Sequence, residues 1–269
     1  MYDIAIIGAG PAGLSAAITA RARNKNVLVI SNDRADSGLY KAPHVDNYPG
    51  LIGVSGAELS DKLAEHAARL GAELRTGRVT AILKHSDSFS LSFKNEFIDC
   101  RTAILALGVL QSQTFEGEVR LLGRGVSYCA TCDGMLYRNK TVSVIALSRE
   151  AEAEAEFLRS IGCKVIETRS KNVQIHGESK VDAVTIDGET LPCSAVFVLR
   201  DAIAPAALIE GLDVRDGHIA VSEKFEVSLN DGFAAGLYAA GDCVGRPYQI
   251  AKTVGEGQCA AFSAIEYLD

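Results

Sequence analysis

Near its start the chain carries two short apolar runs, Tyr2 to Ile7 and Val27-Leu28-Val29-Ile30, on either side of a longer segment from Leu14 to Arg23. Short apolar runs bounded by turn residues predict buried parallel strands, and the segment between them predicts their crossover helix. Ser55-Gly56-Ala57-Glu58 reads as a capping box that opens an amphipathic helix to Leu70, closed by Gly71. Arg78–Leu83, Ser88–Phe93 and Glu96–Cys100 predict short antiparallel strands, and Thr102–Leu107 a separate buried strand ending at Gly108. A second strand–helix–strand set follows: Val142–Ile145, Glu150–Leu158 and Lys164–Glu167. After Val173–His176 and Val181–Ile186, Asp187-Gly188 predicts a hairpin turn. A last buried strand runs from Gly236 into Gly241-Asp242, and a helix is expected from Ala251 to Leu268. Strands alternating with helices of this length predict an α/β fold.

With 269 residues, the chain has room for two modest domains or one large one. No apolar run approaches the ~18 residues of a membrane span. Tyr2–Ile7 is too short for the apolar region of a signal peptide and has no basic residues before it. The net charge of −7 argues against nucleic acid and anionic membranes as partners. Seven cysteines, an odd number, do not make a secreted disulfide framework, so a reducing cytoplasm is the expected location. Only Cys129 and Cys132 share a motif; Cys100, Cys163, Cys193, Cys243 and Cys259 are expected to be small buried hydrophobes.

Gly8-Ala9-Gly10-Pro11-Ala12-Gly13 stands directly between the first predicted strand and its helix. In that setting Gly8 permits a tight turn, Gly10 lets the backbone approach a pyrophosphate, and Gly13 lets the helix pack close to the strand. Free N–H groups at the helix start then hold the phosphates. The acidic residue that normally binds ribose at the end of the second strand is replaced by Ser31-Asn32, with Asp33 just beyond; Ser31 or Asn32 is expected to take over that contact. Gly241-Asp242 matches the place where flavoproteins use an Asp to bond the ribityl chain. The two motifs lie at opposite ends of the chain, which predicts a discontinuous cofactor domain.

Between them lies Cys129-Ala130-Thr131-Cys132-Asp133-Gly134. Two cysteines at this spacing can close and reopen a disulfide, and their thiolates have lowered pKa values. Half of a zinc site has the same spacing, but zinc wants four ligands and no second CxxC or close Cys/His pair is present, so no metal is expected.

The order GAGPAG, CATCDG, AAGD resembles the low-molecular-weight thioredoxin reductases over nearly the whole chain, as do Gly123–Tyr128 and Asp46-Asn47-Tyr48-Pro49-Gly50. The resemblance implies an FAD-binding Rossmann-like domain (residues 1–112 and 218–269) and an inserted dithiol domain (113–217). It implies that Cys132 is the flavin-proximal sulfur, Cys129 the exchange thiol and Asp133 the acid–base group. Beyond the glycine turn, Ser31, Asn32, Gly241 and Asp242, it implies cofactor contacts from Asn47, Val79, Ala106, Gly108, Tyr248, Gln249 and Ile250. Thioredoxin is the implied acceptor and a homodimer the implied assembly.

The chain departs from that family where NADPH would bind. Ala146-Leu147-Ser148-Arg149 stands in place of a glycine-rich turn, followed by Glu150, Glu152, Glu154 and Glu156, four carboxylates that would repel a phosphate. Thr168-Arg169-Ser170-Lys171 does not reproduce the family's paired arginines. These departures resemble the ferredoxin-dependent flavin thioredoxin reductases, as do Arg149–Leu158 and Gly241–Gln249. That resemblance implies ferredoxin as donor and no use of NADPH. A plant-type ferredoxin near −400 mV feeding thioredoxin near −270 mV gives ~130 mV, about 6 kcal/mol downhill for two electrons. Arg120, Arg124, Arg138 and Lys140 lie near the dithiol in sequence and offer either a patch for an acidic donor or ordinary solvated surface. The rival functions are a flavin dithiol oxidase that uses oxygen, an NADPH-dependent thioredoxin reductase, and a non-enzymatic redox-sensing protein.

Overall fold

The apolar runs at the two ends of the chain come together in one sheet. The computed structural model describes residues 1–94, 96–110, 114–148, 151–200 and 208–269. It divides into two units, Met1–Leu110 with Leu208–Asp269, and Gln111–Ala207. The first unit opens with β1 (Tyr2–Ile7), α1 (Pro11–Ala22), β2 (Val27–Ser31), α2 (Gly56–Arg69), β3 (Glu73–Thr76), β4 (Val79–Lys84), β5 (Phe89–Phe93) and β6 (Glu96–Leu105). The second contains β7 (Val126–Ser127), α3 (Ala130–Asp133), β8 (Thr141–Leu147), α4 (Ala151–Ser160), β9 (Lys164–Thr168), β10 (Val173–His176), β11 (Ala183–Ile186), β12 (Glu189–Pro192) and β13 (Ala195–Arg200). The chain then returns to the first unit with β14 (Val214–Arg215), β15 (His218–Ile219), β16 (Glu226–Leu229), β17 (Gly232–Ala239) and α5 (Ile250–Leu268).

The main sheet runs β16-β17-β6-β1-β2-β3. It is parallel from β17 to β3, and β16 is antiparallel at the edge. Alternate side chains leave it on opposite faces, as strand geometry requires. Ile4 and Ile6 pack with the alanine-rich faces of α1 and α5, whereas Ala5 and Ile7 pack with Val79, Phe89 and Leu91 of the antiparallel β4–β5 pair. Leu208, Ile209 and Leu212 belong to that second core. Each large side chain buried this way contributes roughly 1.5–3 kcal/mol.

Two expectations are corrected in this unit. Glu96–Cys100 and Thr102–Leu107 are not separate strands; β6 is continuous through Arg101. Its first half pairs antiparallel with β5, and its second half pairs parallel with β1 and β17. The capping box is also only half formed: the Ser55 hydroxyl accepts the Glu58 N–H at 3.1 Å, but the Glu58 carboxylate pairs with Lys62.

The second unit is built on a parallel sheet, β7-β13-β8-β9. Ala151, Ala155 and Leu158 of α4 pack on one face with Val142, Val144 and Phe197; Val173, Ile175 and Val184 of the antiparallel β10-β11-β12 sheet pack on the other with Ile145, Val196 and Val198. Asp187 and Gly188, both at positive φ, form the hairpin between β11 and β12.

Candidate functional site

In the first unit, strand register aligns Ile7 with Ile30 and with Leu105, and Leu105 with Ala239. Gly8, Ser31, Ala106 and Ala240 therefore emerge side by side at the carboxyl edge of the sheet, where α/β folds bind ligands. Gly8 needs its glycine: φ is +116°, and a Cβ there would stand 2.0 Å from the Ala106 carbonyl oxygen. A Cβ on Gly13 would stand 1.8 Å from the Gly8 carbonyl oxygen, so this residue sets how closely α1 packs. Gly10 differs from both, because a Cβ there would meet nothing within 4 Å. Gly10 is the N-cap of α1 with no side-chain cap, and Pro11 follows at the first helical position. The N–H groups of Ala12 and Gly13 lie in a first turn that has no intrahelical acceptors. An open surface over Gly10 beside uncapped amides fits a phosphate.

At the other motif, Gly241 (φ +91°) turns the chain out of β17 into Asp242. Asp242 Oδ1 is buried without a hydrogen-bond partner, and burial raises the pKa of the carboxyl. A buried acceptor left unpaired costs about 1–3 kcal/mol, so this atom fits a ligand hydroxyl. The turn is clamped from α5. Lys252 Nζ donates to the Gly241 and Gly245 carbonyls at 3.2 and 2.6 Å, Glu256 accepts the Gly241 N–H at 3.0 Å, and the two side chains pair at 3.0 Å. Sequence reading missed both residues; the only signal was opposite charges at i, i+4 near the start of the helix.

The remaining expected cofactor residues divide by role. Asn47 donates its side-chain amide to Gln249 at 2.7 Å, across 202 positions. The Tyr248 hydroxyl lies 3.0 Å from His218 Nε2, with the Arg246 guanidinium over its ring. Ile250 is the first residue of α5. Ser31 ends β2, and its hydroxyl donates to the Asn32 carbonyl. The Val79 side chain is in the core. Ala106 N–H donates to Ile7, and Gly108 sits at φ +71° with open space where a Cβ would be.

In the second unit, Cys129 and Cys132 are disulfide-bonded at the start of α3. Cys129 is the N-cap, and its Sγ accepts the Cys132 N–H at 3.2 Å. The preceding strand supplies Ser127, whose hydroxyl accepts the Cys129 N–H and donates to Asp133 Oδ2 at 2.7 Å. One hydroxyl thus ties the first cysteine to the acid. Tyr137, its pKa raised first by burial and then by Asp133, closes the same corner and stacks edge-on against Phe197. Tyr128, beside Cys129, bonds the fully buried Glu118, which also pairs with Arg200 at 2.8 Å. Thr131, Met135 and Leu136 are exposed next to the disulfide.

Four of the other five cysteines are buried, but Cys259 is exposed, on the outer face of α5. Burial pushes the Cys100 and Cys243 thiols up to about 12 and Cys193 to about 11, too high for thiolate chemistry near neutrality.

Arg149 of the glycine-free turn and Glu150, the first of the four carboxylates, lie outside the described residues. Leu147 is the last residue of β8, and its side chain packs on the core shared with β10–β12. Glu152 and Glu156 are exposed on α4, but Glu154 is partly buried and accepts the Ala130 N–H at 2.6 Å. The run expected to repel phosphate thus includes a carboxylate that bonds the dithiol helix. The four basic residues near the dithiol are exposed, but Arg120 is tied to the Gly177 and Glu178 carbonyls and Lys140 donates to Leu136. No helix among the described residues is long and apolar enough to cross a membrane.

The family model described as pyridine nucleotide-disulphide oxidoreductase matches residues 2–166. The chain is similar to a crystallised ferredoxin-flavin thioredoxin reductase from Clostridium acetobutylicum, with 38% identity and a TM-score of 0.86, covering 100% of this chain and 97% of that one. It is also similar to a thioredoxin reductase from Gloeobacter violaceus (26% identity, TM-score 0.78, covering 99% and 94%). The thioredoxin reductase of Bacillus subtilis is 27% identical over 306 aligned positions, which cover all of this chain and 95% of that protein.

Proposed function

The chain belongs to the pyridine nucleotide-disulphide oxidoreductase family, which uses a flavin, and on that premise we propose that it is a ferredoxin-dependent flavin thioredoxin reductase. The observation that carries this reading is the Cys129–Cys132 disulfide with Asp133 anchored beside it through Ser127. FAD is the flavin the residues fit: the surface over Gly10 suits its pyrophosphate and the orphaned Asp242 Oδ1 a ribityl hydroxyl. Asn47, Gln249 and Tyr248, with the carboxyl-edge residues Ser31, Asn32, Ala106 and Gly108, would line the rest.

A bound flavin supplies the conversion of single electrons into pairs. The protein supplies the sulfur chemistry. Two electrons and two protons open the disulfide. The Cys132 N–H then stabilises a thiolate on Cys129. That thiolate attacks the disulfide of thioredoxin; a mixed disulfide forms, and Cys132 resolves it with release of the reduced partner. Asp133 is the group placed to take up and return the proton. The exposed Met135 and Leu136 give the partner an apolar footing beside the reacting sulfur.

Ferredoxin rather than NADPH is the donor because β8 runs straight through Ala146 and Leu147, with no glycine at which a pyrophosphate could touch backbone. Purified holoprotein should be yellow, keep its colour under NADPH, and bleach under photoreduced ferredoxin. Rapid bleaching by micromolar NADPH would overturn the donor assignment. Oxygen uptake with a small dithiol, without thioredoxin reduction, would replace the reading with an oxidase.

A further inference from the structure

Lys252 spans the turn that carries Asp242, yet leaves Asp242 Oδ1 alone. Its Nζ donates to the Gly241 carbonyl at 3.2 Å and to the Gly245 carbonyl at 2.6 Å, one on each side of the acid in the chain. Burial raises the pKa of the Asp242 carboxyl and the Lys252 charge opposes that rise, so the ammonium is within electrostatic reach. Asp242 Oδ1 is nonetheless buried with no hydrogen-bond partner. A cation with a proton to spare would bond it, since hydrogen bonds between charged groups are the strong ones. An ammonium has three protons. Two go to the carbonyls and the third to Glu256 at 3.0 Å, so Lys252 has none left to give.

The needs of α5 do not account for this pair. Lys252 is the third residue of the helix, where the dipole disfavours a cation, and Lys before Glu at i, i+4 is the weaker order of such a pair. Both side chains are only 19% exposed. Glu256 Oε2 accepts from Lys252 and also from the Gly241 N–H, so one carboxylate oxygen fixes the ammonium and the turn together.

We infer that Glu256 is a positioning residue of the cofactor site: by holding the third proton of Lys252, it keeps Asp242 Oδ1 open for a ligand hydroxyl. The inference deepens the assignment of Asp242 to a ribityl hydroxyl of FAD and rests on it. Without the Glu256 carboxylate, Lys252 turns a proton to Asp242, and FAD must displace that bond in order to bind.

The test is a double-mutant cycle on FAD affinity, read by fluorescence titration of the stripped full-length protein, with thermal melts of the same samples. Glu256→Ala should weaken FAD binding about tenfold or more, the effect of displacing a hydrogen bond between charged groups. In an Asp242→Ala background the same substitution should change FAD affinity by less than about twofold. The melts carry a change of sign. Asp242→Ala should raise the flavin-free Tm while Glu256 is present, by removing an unpaired buried acceptor, and lower it in Glu256→Ala, where the carboxylate has gained Lys252. Equal losses of FAD affinity in both backgrounds would mean that Glu256 acts on the fold alone, and overturn the inference; so does wild-type affinity in Glu256→Ala, or a raised Tm in both backgrounds. Wild-type FAD affinity in Asp242→Ala overturns the ribityl assignment and takes the inference with it. Should Glu256→Ala fail to fold, Glu256→Leu is read the same way; if neither folds, the carboxylate is structural and the inference falls.

Discussion

Gly10 and Gly13 stand three residues apart in one motif, and the structure assigns them opposite consequences on substitution by Ala. At Gly13 the new methyl would lie 1.8 Å from the Gly8 carbonyl oxygen, so α1 must move away from β1 by more than an ångström. Overpacking of that kind costs about 3 kcal/mol, the upper part of its usual range. In a domain of this size that lowers Tm by roughly 6–12 °C. At Gly10 the methyl meets no protein atom, and φ is −79°, a conformation Ala adopts freely. The loss of a preferred N-cap and the gain from a stiffer unfolded chain nearly cancel, so flavin-free Gly10→Ala should match wild type within about 0.5 kcal/mol. Its defect should appear only with ligand, because the methyl fills the phosphate surface. About 1–3 kcal/mol of crowding there weakens FAD binding roughly 5- to 150-fold. Thermal melts of the stripped proteins and fluorescence titrations with FAD separate the two. A Gly10→Ala variant with wild-type FAD affinity would refute the placement of the pyrophosphate, and an unchanged melt for Gly13→Ala would refute the packing argument.

Removing the orphaned carboxylate by Asp242→Ala should raise the Tm of the flavin-free protein by relieving about 1–3 kcal/mol of unpaired burial, yet weaken FAD binding; a variant that loses stability without losing FAD affinity argues against a ligand contact there. Cys129→Ser should abolish disulfide reduction and leave flavin content unchanged, whereas Leu136→Ser should raise KM for thioredoxin about tenfold with kcat nearly constant, as expected for a lost apolar anchor; equal losses in kcat would place Leu136 in the chemistry instead. The buried thiols of Cys100, Cys193 and Cys243 have folded pKa values raised from 9.0 to about 12, 11 and 12. The stability they contribute is fully present below pH ~9 and lost as pH rises toward 11–12, at about 1.4 kcal/mol per pH unit for each thiol. Melts from pH 8 to 11 should show Tm falling, and a flat profile would contradict the burial.

The cofactor turn was legible because its demands are local. A strand ending at Gly8 and a helix beginning near Gly13 leave few geometries, and only glycine meets the close approaches found there. β6 was misread as two strands for a physical reason. From Glu96 to Arg101 one side of the strand meets solvent and residues alternate; from Thr102 onward both faces are covered and the alternation disappears. A change of period looks like a change of element. β3 left a single apolar residue, Leu74, and no run, since Glu73–Thr76 is a mostly exposed edge strand held by pairing to β2. Glu154, Lys252 and Glu256 act through contacts with distant backbone, which no periodicity encodes; their charges read equally well as solvated surface.

The closeness of α1 and α5 has a consequence for how the protein is made. A Cβ on Gly257 would stand 2.0 Å from the Ala12 carbonyl oxygen, so the last helix lies directly against the backbone of the first. The side of α1 that meets α5 therefore has no cover until residue 257 and its neighbours have been synthesised. Domains of growing chains usually fold from the N-terminus onward. Here the glycine turn is translated first and completed last, so a nascent chain stalled before residue 250 should take up no flavin, however long it waits.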